Sequence, residues 1–174
     1  MVKQIIAISG SGIGAGKTTL AKKLLAESWS LAGALRKSLK RIYPATDWYN
    51  KTQEFKSQRF TGDIRVIFPD ADVSERLTNR DIMLRYGQMK CTNDDVHWAR
   101  ELVNDLEERL NIADGAHTIA VDDVRKVCEI EYLREAYGER LIHLHVDTDS
   151  ATAEAEFDNA SLRARADYLI KWER

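Results

Sequence analysis

The stretch that most restricts what this chain can fold into lies near its start, where a short apolar run passes into glycines and a lysine. Residues 3–9 (KQIIAIS) are almost continuously apolar and end at Gly10, which predicts a strand buried on both faces, as in a parallel sheet. The nine residues that follow are Ser11, Gly12, Ile13, Gly14, Ala15, Gly16, Lys17, Thr18 and Thr19. They match the pattern GxxxxGK followed by Ser or Thr, except that Ser11 stands where the first glycine belongs, with Gly10 and Gly12 on either side. Glycines let a backbone curl so that successive N–H groups point inward at phosphate oxygens. In such a loop Lys17 brings a full positive charge to the β- and γ-phosphates, and the Thr18 hydroxyl is the expected Mg²⁺ ligand. ATP and Mg²⁺ are therefore the expected cofactors. A plain glycine-rich turn would not need the lysine and two threonines. A dinucleotide site would need an acidic residue closing a second strand, and none is obvious.

The rest of the chain alternates helical and strand patterns. Residues 18–29 place Leu20, Ala21, Leu24 and Leu25 at helical spacing, and a second helix runs from residue 31 until Pro44 stops it. Residues 44–63 have no clean period and read as a loop or mobile insertion. Residues 63–68 (DIRVIF) alternate and read as an edge strand. A short helix is expected over 78–86, closed by Gly87. Another is expected after Asn93, Asp94 and Asp95, with Val96, Ala99, Val103, Leu106 and Leu110 on one face and Gly115 at its end. Residues 117–121 (HTIAV) and 141–146 (LIHLHV) read as buried strands, 126–137 as the helix between them, and 166–170 as a last strand. The alternation predicts an α/β protein in three layers, a parallel sheet with helices on both faces, and the glycine-rich loop makes it a P-loop NTPase fold.

Composition sets other classes aside. A chain of 174 residues buries about 70% of its unfolded surface and needs no disulfide, so a single domain is expected, with an insertion at about 44–78 and a lid at about 147–165. No apolar run is long enough for a membrane span, and the start has no signal-peptide pattern, so a soluble cytoplasmic protein is expected. Cys91 and Cys128 have no CxxC partner and read as reduced core residues. The net charge is −2, but residues 1–87 hold 15 basic and 8 acidic residues while 88–174 hold 11 and 20. A basic half that carries a phosphate loop suits small anions; the total is a poor match for nucleic acid.

After the HTIAV strand come Asp122, Asp123, Val124 and Arg125. A carboxylate at the C-terminal end of a parallel strand faces the crevice where ligands of α/β sheets bind. Asp123 is the expected second metal-shell group, with Arg125 able to reach a phosphate or fix Asp123; two acids before a helix can equally serve as its cap. His143 and His145 share one face of their strand by the period of two and read as satisfied buried histidines rather than metal ligands.

Taken in order, the glycine-rich loop, LAGALRKSL at 31–39, RDIMLRYG at 80–87, the helix carrying Trp98, and DVRKVCEIEYLREAYG at 123–138 running into LIHLHV resemble bacteriophage deoxynucleoside monophosphate kinases. The same order is similar to animal-type phosphomevalonate kinases, which share the Asp-x-Arg element. The resemblance implies phosphate-loop roles for Ser11 to Thr19 and an Asp-x-Arg role for Asp123 and Arg125, with Glu129 at a matching acidic position. On this reading Arg36, Arg80 and Arg85 would hold the acceptor monophosphate, and Trp98, Trp48 or Tyr49 would stack on its base; the alternative is ordinary, with Trp98 a core residue of its helix and Trp48 and Tyr49 pinning a loop. Where the phage enzymes have an arginine after the LIHLHV strand, this chain has Val146 and Asp147, so Arg163 or Arg165 would supply the lid charge. The implied function is transfer of the γ-phosphate of ATP to a nucleoside monophosphate in a host-cell cytoplasm, with small nucleotides as partners and a homodimer left open. Two alternatives stand beside it. One is a kinase of another phosphorylated small molecule such as phosphomevalonate; the other is a nucleotide-dependent switch or ATPase acting on a protein, for which no NKxD-type base-reading motif is found.

Overall fold

The computed structural model describes residues 4–12, 15–24, 26–72, 74–112, 118–148 and 159–171. Five strands, β1 (Gln4–Gly10), β2 (Glu27–Trp29), β3 (Thr118–Val121), β4 (Leu141–Asp147) and β5 (Tyr168–Lys171), form one parallel sheet in the order β2-β3-β1-β4-β5. In register, Ile5 lies opposite Ile119 and Leu141, and Gly10 lies opposite Val146. Seven α-helices are found among the described residues: α1 (Lys17–Lys23), α2 (Leu31–Ile42), α3 (Gln53–Ser57), α4 (Asn79–Cys91), α5 (His97–Ile112), α6 (Val127–Tyr137) and α7 (Asn159–Ala164). Among the described residues, no helix is long and apolar enough to cross a membrane.

The chain divides into two compact units, Met1–Leu31 with Trp98–Arg174, and Ala32–His97. The first holds the sheet. The two faces of its central strand β1 are buried in different ways. Ile6 and Ile8 pack with Leu20 and Ala21 of α1 and with Ala120, Leu144 and Val146, an apolar cluster. By the period of two, the other face carries Ile5, Ala7 and Ser9, and there the neighbouring β4 contributes the buried His143 and His145. Helices therefore cover both faces of a parallel sheet, as the strand–helix alternation requires. In the second unit Trp48, fully buried, packs on Phe55 and Phe60, and Tyr43 sits edge-on to Phe60 at 4.9 Å.

Four local expectations differ from the structure. The helix expected to reach Trp29 stops at Lys23, because Glu27–Trp29 pair with Ile119–Val121 as the strand β2. Residues 63–68 form a 3₁₀ turn, not a strand: Asp63 accepts the Arg65 N–H, and the buried Ile64 and Ile67 are three apart while Val66 is 62% exposed. Gly87 does not close its helix, for α4 runs through it to Cys91, started by a reciprocal cap between Thr78 and Asp81. The region 44–63 contains α3, whose length of five residues leaves too little pattern to detect. Cys91 and Cys128 are half-buried and not disulfide-bonded. Gly115 and His117 lie outside the described residues.

Candidate functional site

β1 ends at Gly10, where the loop folds back closely over the strand end. A Cβ at this position would lie 3.0 Å from the Val146 carbonyl oxygen, 3.1 Å from Cβ of Ala15 and 3.3 Å from Cγ of Lys17, so a side chain there would require these neighbours to give by a few tenths of an ångström. The Ser11 N–H then donates to Val146 O at 3.0 Å, and the chain turns away from the sheet. Ile13 and Gly14 lie outside the described residues. At the far end of the loop Gly16 adopts φ 94° and ψ 12°, a left-handed conformation that glycine reaches without strain, and α1 begins at Lys17. Glycine brings no side chain, and no side-chain bond caps the start of α1. The Lys17 ammonium donates to the Gly12 carbonyl at 3.1 Å, folded over the loop it belongs to.

One residue on, the Thr18 hydroxyl donates to Oδ2 of Asp122 at 2.9 Å. Asp122, not Asp123, is thus the carboxylate that meets the phosphate-loop threonine. Its own N–H is bonded to Trp29 O, so it still belongs to the β2–β3 ladder, and it is only 8% exposed. Asp123 instead accepts from Arg125 Nε at 2.9 Å. Arg125 and Lys126 donate their backbone N–H groups to Glu129, which caps α6, and burial raises the Glu129 pKa against the pull of those two bonds. The residue missed from the sequence is therefore Asp122; the parity of the strand end distinguishes it from its neighbour.

Whether this pair suits a metal follows from its chemistry. A hydroxyl and one carboxylate are two hard oxygen donors. Among the described residues, no group of three or more His, Cys, Asp or Glu could hold a metal ion. Mg²⁺ keeps several waters and uses one or two carboxylates together with substrate phosphates. The donors are of the kind that suits a Mg²⁺ arriving on a nucleotide, which Thr18 and Asp122 would then hold.

Behind the loop lies a buried polar chain. Ser9 Oγ is 2.7 Å from Nε2 of His143 and 2.9 Å from Nδ1 of His145, and His145 Nε2 lies 3.4 Å from Asp147. Burial pushes the His143 pKa down to about 4, helped by the nearby Arg134 and His145 and opposed by the Arg165 carbonyl and Asp167. His145 is lowered for the same first reason, with Lys17 and Arg163 adding to the effect against Asp147. Both imidazoles are therefore neutral near pH 7, as buried and satisfied histidines should be.

The two lid candidates sit at the end of the sheet unit. Arg163 Nε donates to Asp147 Oδ2 at 2.7 Å, whereas Arg165 pairs with Glu131 at 3.3 Å. Arg163 thus brings a guanidinium to Asp147 at the end of β4; residues 149–158 of the expected lid lie outside the described residues. Trp98 is buried and lies in line with Leu102, Leu106 and Leu110 on the apolar face of α5, a core position rather than a stacking platform. Trp48 is likewise core, while Tyr49 is exposed.

Arg36, Arg80 and Arg85 all belong to the second unit. Arg36 is on α2 and half-buried; Arg80 and Arg85 are on α4 and exposed. These two helices are joined by a 2.7 Å hydrogen bond between Ser38 and Tyr86. Arg85 is held in a two-bonded pair with Glu75, which lines a cleft of about 410 Å³ with Arg59, Phe60 and Asp63.

No protein-family model matches the chain, and no curated protein is detectably similar to it. Among solved structures it is similar to TT1252 from Thermus thermophilus, with 17% identity and a TM-score of 0.55 over 100% of this chain and 91% of that one. It also aligns with an unliganded sugar kinase from a Janibacter species at 16% identity and a TM-score of 0.43, covering 97% of this chain and 85% of that one. At 17% identity the likeness to TT1252 is one of fold alone, and the fold here is an α/β architecture built on a parallel sheet.

Proposed function

We propose that this protein is a phosphotransferase that moves the γ-phosphate of ATP to the phosphate of a deoxynucleoside or nucleoside monophosphate. The observation that carries the reading is the 2.9 Å bond between Thr18 and Asp122 directly behind a glycine-rich loop crossed by Lys17. A hydroxyl and a strand-end carboxylate meeting behind a phosphate loop are what a nucleotide-borne Mg²⁺ needs from a protein.

Phosphoryl transfer asks for positioning and charge compensation more than for covalent chemistry. Lys17 would leave the Gly12 carbonyl for the β- and γ-phosphates, and the loop amides would take the remaining oxygens. Mg²⁺, held by Thr18 and Asp122, would neutralise charge on the same phosphates. Arg163, already at the end of β4, and Arg125 would offset charge that builds on the transferred group. Arg36, Arg80 and Arg85 would bind the acceptor phosphate; Arg85 would first have to exchange Glu75 for that anion. The acceptor is ionised near neutral pH, so no general base is required. The nucleotide class of the acceptor rests on the resemblance to the phage enzymes, since the loop itself does not encode it.

The test is ADP formation from ATP and Mg²⁺ with each of a panel of nucleoside and deoxynucleoside monophosphates, with phosphomevalonate and no acceptor in parallel. A monophosphate that raises ADP formation well above the acceptor-free rate is expected. Stimulation by phosphomevalonate alone would replace the acceptor class, and stimulation by none would overturn the kinase reading.

A further inference from the structure

Ser11 is the one departure of the loop from its pattern, and its side chain has a specific employment. The β1–β4 ladder runs to Gly10 opposite Val146 and closes with the Ser11 N–H on Val146 O. The backbone ladder cannot continue, because the chain turns away at Gly12. The hydroxyl of Ser11 takes over: it donates to Thr148 O at 3.3 Å and accepts the Thr148 N–H at 3.2 Å. One side-chain oxygen thereby satisfies both backbone groups of Thr148, as the next pair of a ladder would. The carbonyl of the same residue accepts the side-chain amide of Asn159 at 3.1 Å. Ser11 therefore bonds both Thr148 and Asn159, the residues that flank positions 149–158. A glycine in its place would keep the two backbone bonds and lose the two to Thr148.

Resting on the phosphate-loop reading above, we propose that Ser11 is a positioning residue: it clasps the chain after β4 to the first turn of the phosphate loop, so that the loop is held in register for the nucleotide before the nucleotide arrives. The consequence reaches the ligand through the loop. Ser11 is followed at once by Gly12, so a loosened Ser11 lets the loop backbone that would take the phosphate oxygens drift from its place.

The experiment compares Ser11→Gly, Ser11→Ala and Ser11→Thr with the unmodified protein. Three readouts are taken: hydrogen exchange at the Thr148 amide, direct binding of a fluorescent ATP analogue with Mg²⁺, and steady-state constants with the best acceptor. Loss of two net hydrogen bonds at a preorganised loop predicts nucleotide binding weaker by about tenfold in the Gly and Ala variants. Thr148 exchange should quicken in both, KM for ATP should rise more than kcat falls, and Ser11→Thr should restore all three by keeping the hydroxyl. Unchanged exchange at Thr148 would overturn the clasp. Faster exchange with unchanged nucleotide binding would overturn its role in positioning and reduce it to a local stabilising contact. Absence of nucleotide binding in the unmodified protein would overturn the phosphate-loop reading itself, a result distinct from either.

Discussion

At the scale of single residues, the decisive point is which of two neighbouring carboxylates meets Thr18. Asp122 and Asp123 are chemically identical and adjacent. Asp122 remains in the strand ladder and turns its side chain to Thr18, while Asp123, one step on, pairs with Arg125. Asp122→Asn is expected to lower kcat by about a hundredfold at saturating ATP, in line with losing one charge at a charge-stabilising site. Asp123→Asn, which only weakens the pair with Arg125, should cost less than about tenfold. Steady-state kinetics over a Mg²⁺ series checks the pair, and equal losses would remove the distinction. Lys17→Ala should reduce turnover by at least about a hundredfold with an unchanged circular dichroism spectrum. A folded Lys17→Ala protein with ordinary turnover would take the lysine out of the site.

At the scale of elements, local signals and pairing competed, and pairing won where segments were short. Residues 24–29 continue a helical spacing, yet Glu27–Trp29 become a strand because an edge position beside β3 was available to satisfy their backbone groups. Residues 63–68 alternate like a strand, yet no partner strand meets them among the described residues, and the Asp63 cap turns them into a 3₁₀ turn. Where a helix was well started, the pattern placed its beginning though not its end: α4 begins at a Thr78–Asp81 capping box in which Asp81 accepts both the N–H and the hydroxyl of Thr78, and it runs past Gly87 to Cys91. Those bonds hold the Asp81 carboxyl below its ordinary pKa. Thr78→Ala is expected to destabilise the protein by about 1 kcal/mol in equilibrium urea unfolding, with Thr78→Ser close to the original. An Ala variant as stable as the original would show that α4 is held by packing alone.

At the scale of the whole molecule, the buried histidines make stability depend on pH in a defined window. In the unfolded chain an imidazole titrates near 6.5, whereas His143 in the folded protein titrates near 4 and His145 below its ordinary value. Between these values the unfolded state binds more protons, so stability from this source is complete above about pH 6.5 and is lost as pH falls toward 4. For His143 alone the loss reaches on the order of 3 kcal/mol by pH 4. Urea unfolding at several pH values should show this decline, and His143→Gln should flatten it. An identical pH dependence in the two proteins would contradict it. The charge asymmetry also changes form at this scale: cut at the compact units, residues 32–97 hold 12 basic and 9 acidic residues, and the remainder 14 and 19. The basic excess thus survives only in residues 32–97, at a net +3, while the sheet unit that carries the glycine-rich loop is net acidic at −5.

What the amino-acid order determined by itself was everything carried by a short run with its own physical logic. The phosphate loop, the buried strands on either side of the α6 helix, the shared face of His143 and His145, and the core place of Trp98 as the alternative to stacking all follow from period, glycine and charge within a few residues. Tertiary structure decided what depends on a partner distant in sequence. β2 exists because β3 accepts it, Asp122 faces Thr18 because β3 keeps its ladder one residue longer, and Ser11 stands in a glycine's place because Thr148, 137 residues away, needs its hydroxyl. Hydrogen-bond pairing across such separations leaves no local period, since neither residue alone carries the geometry that joins them.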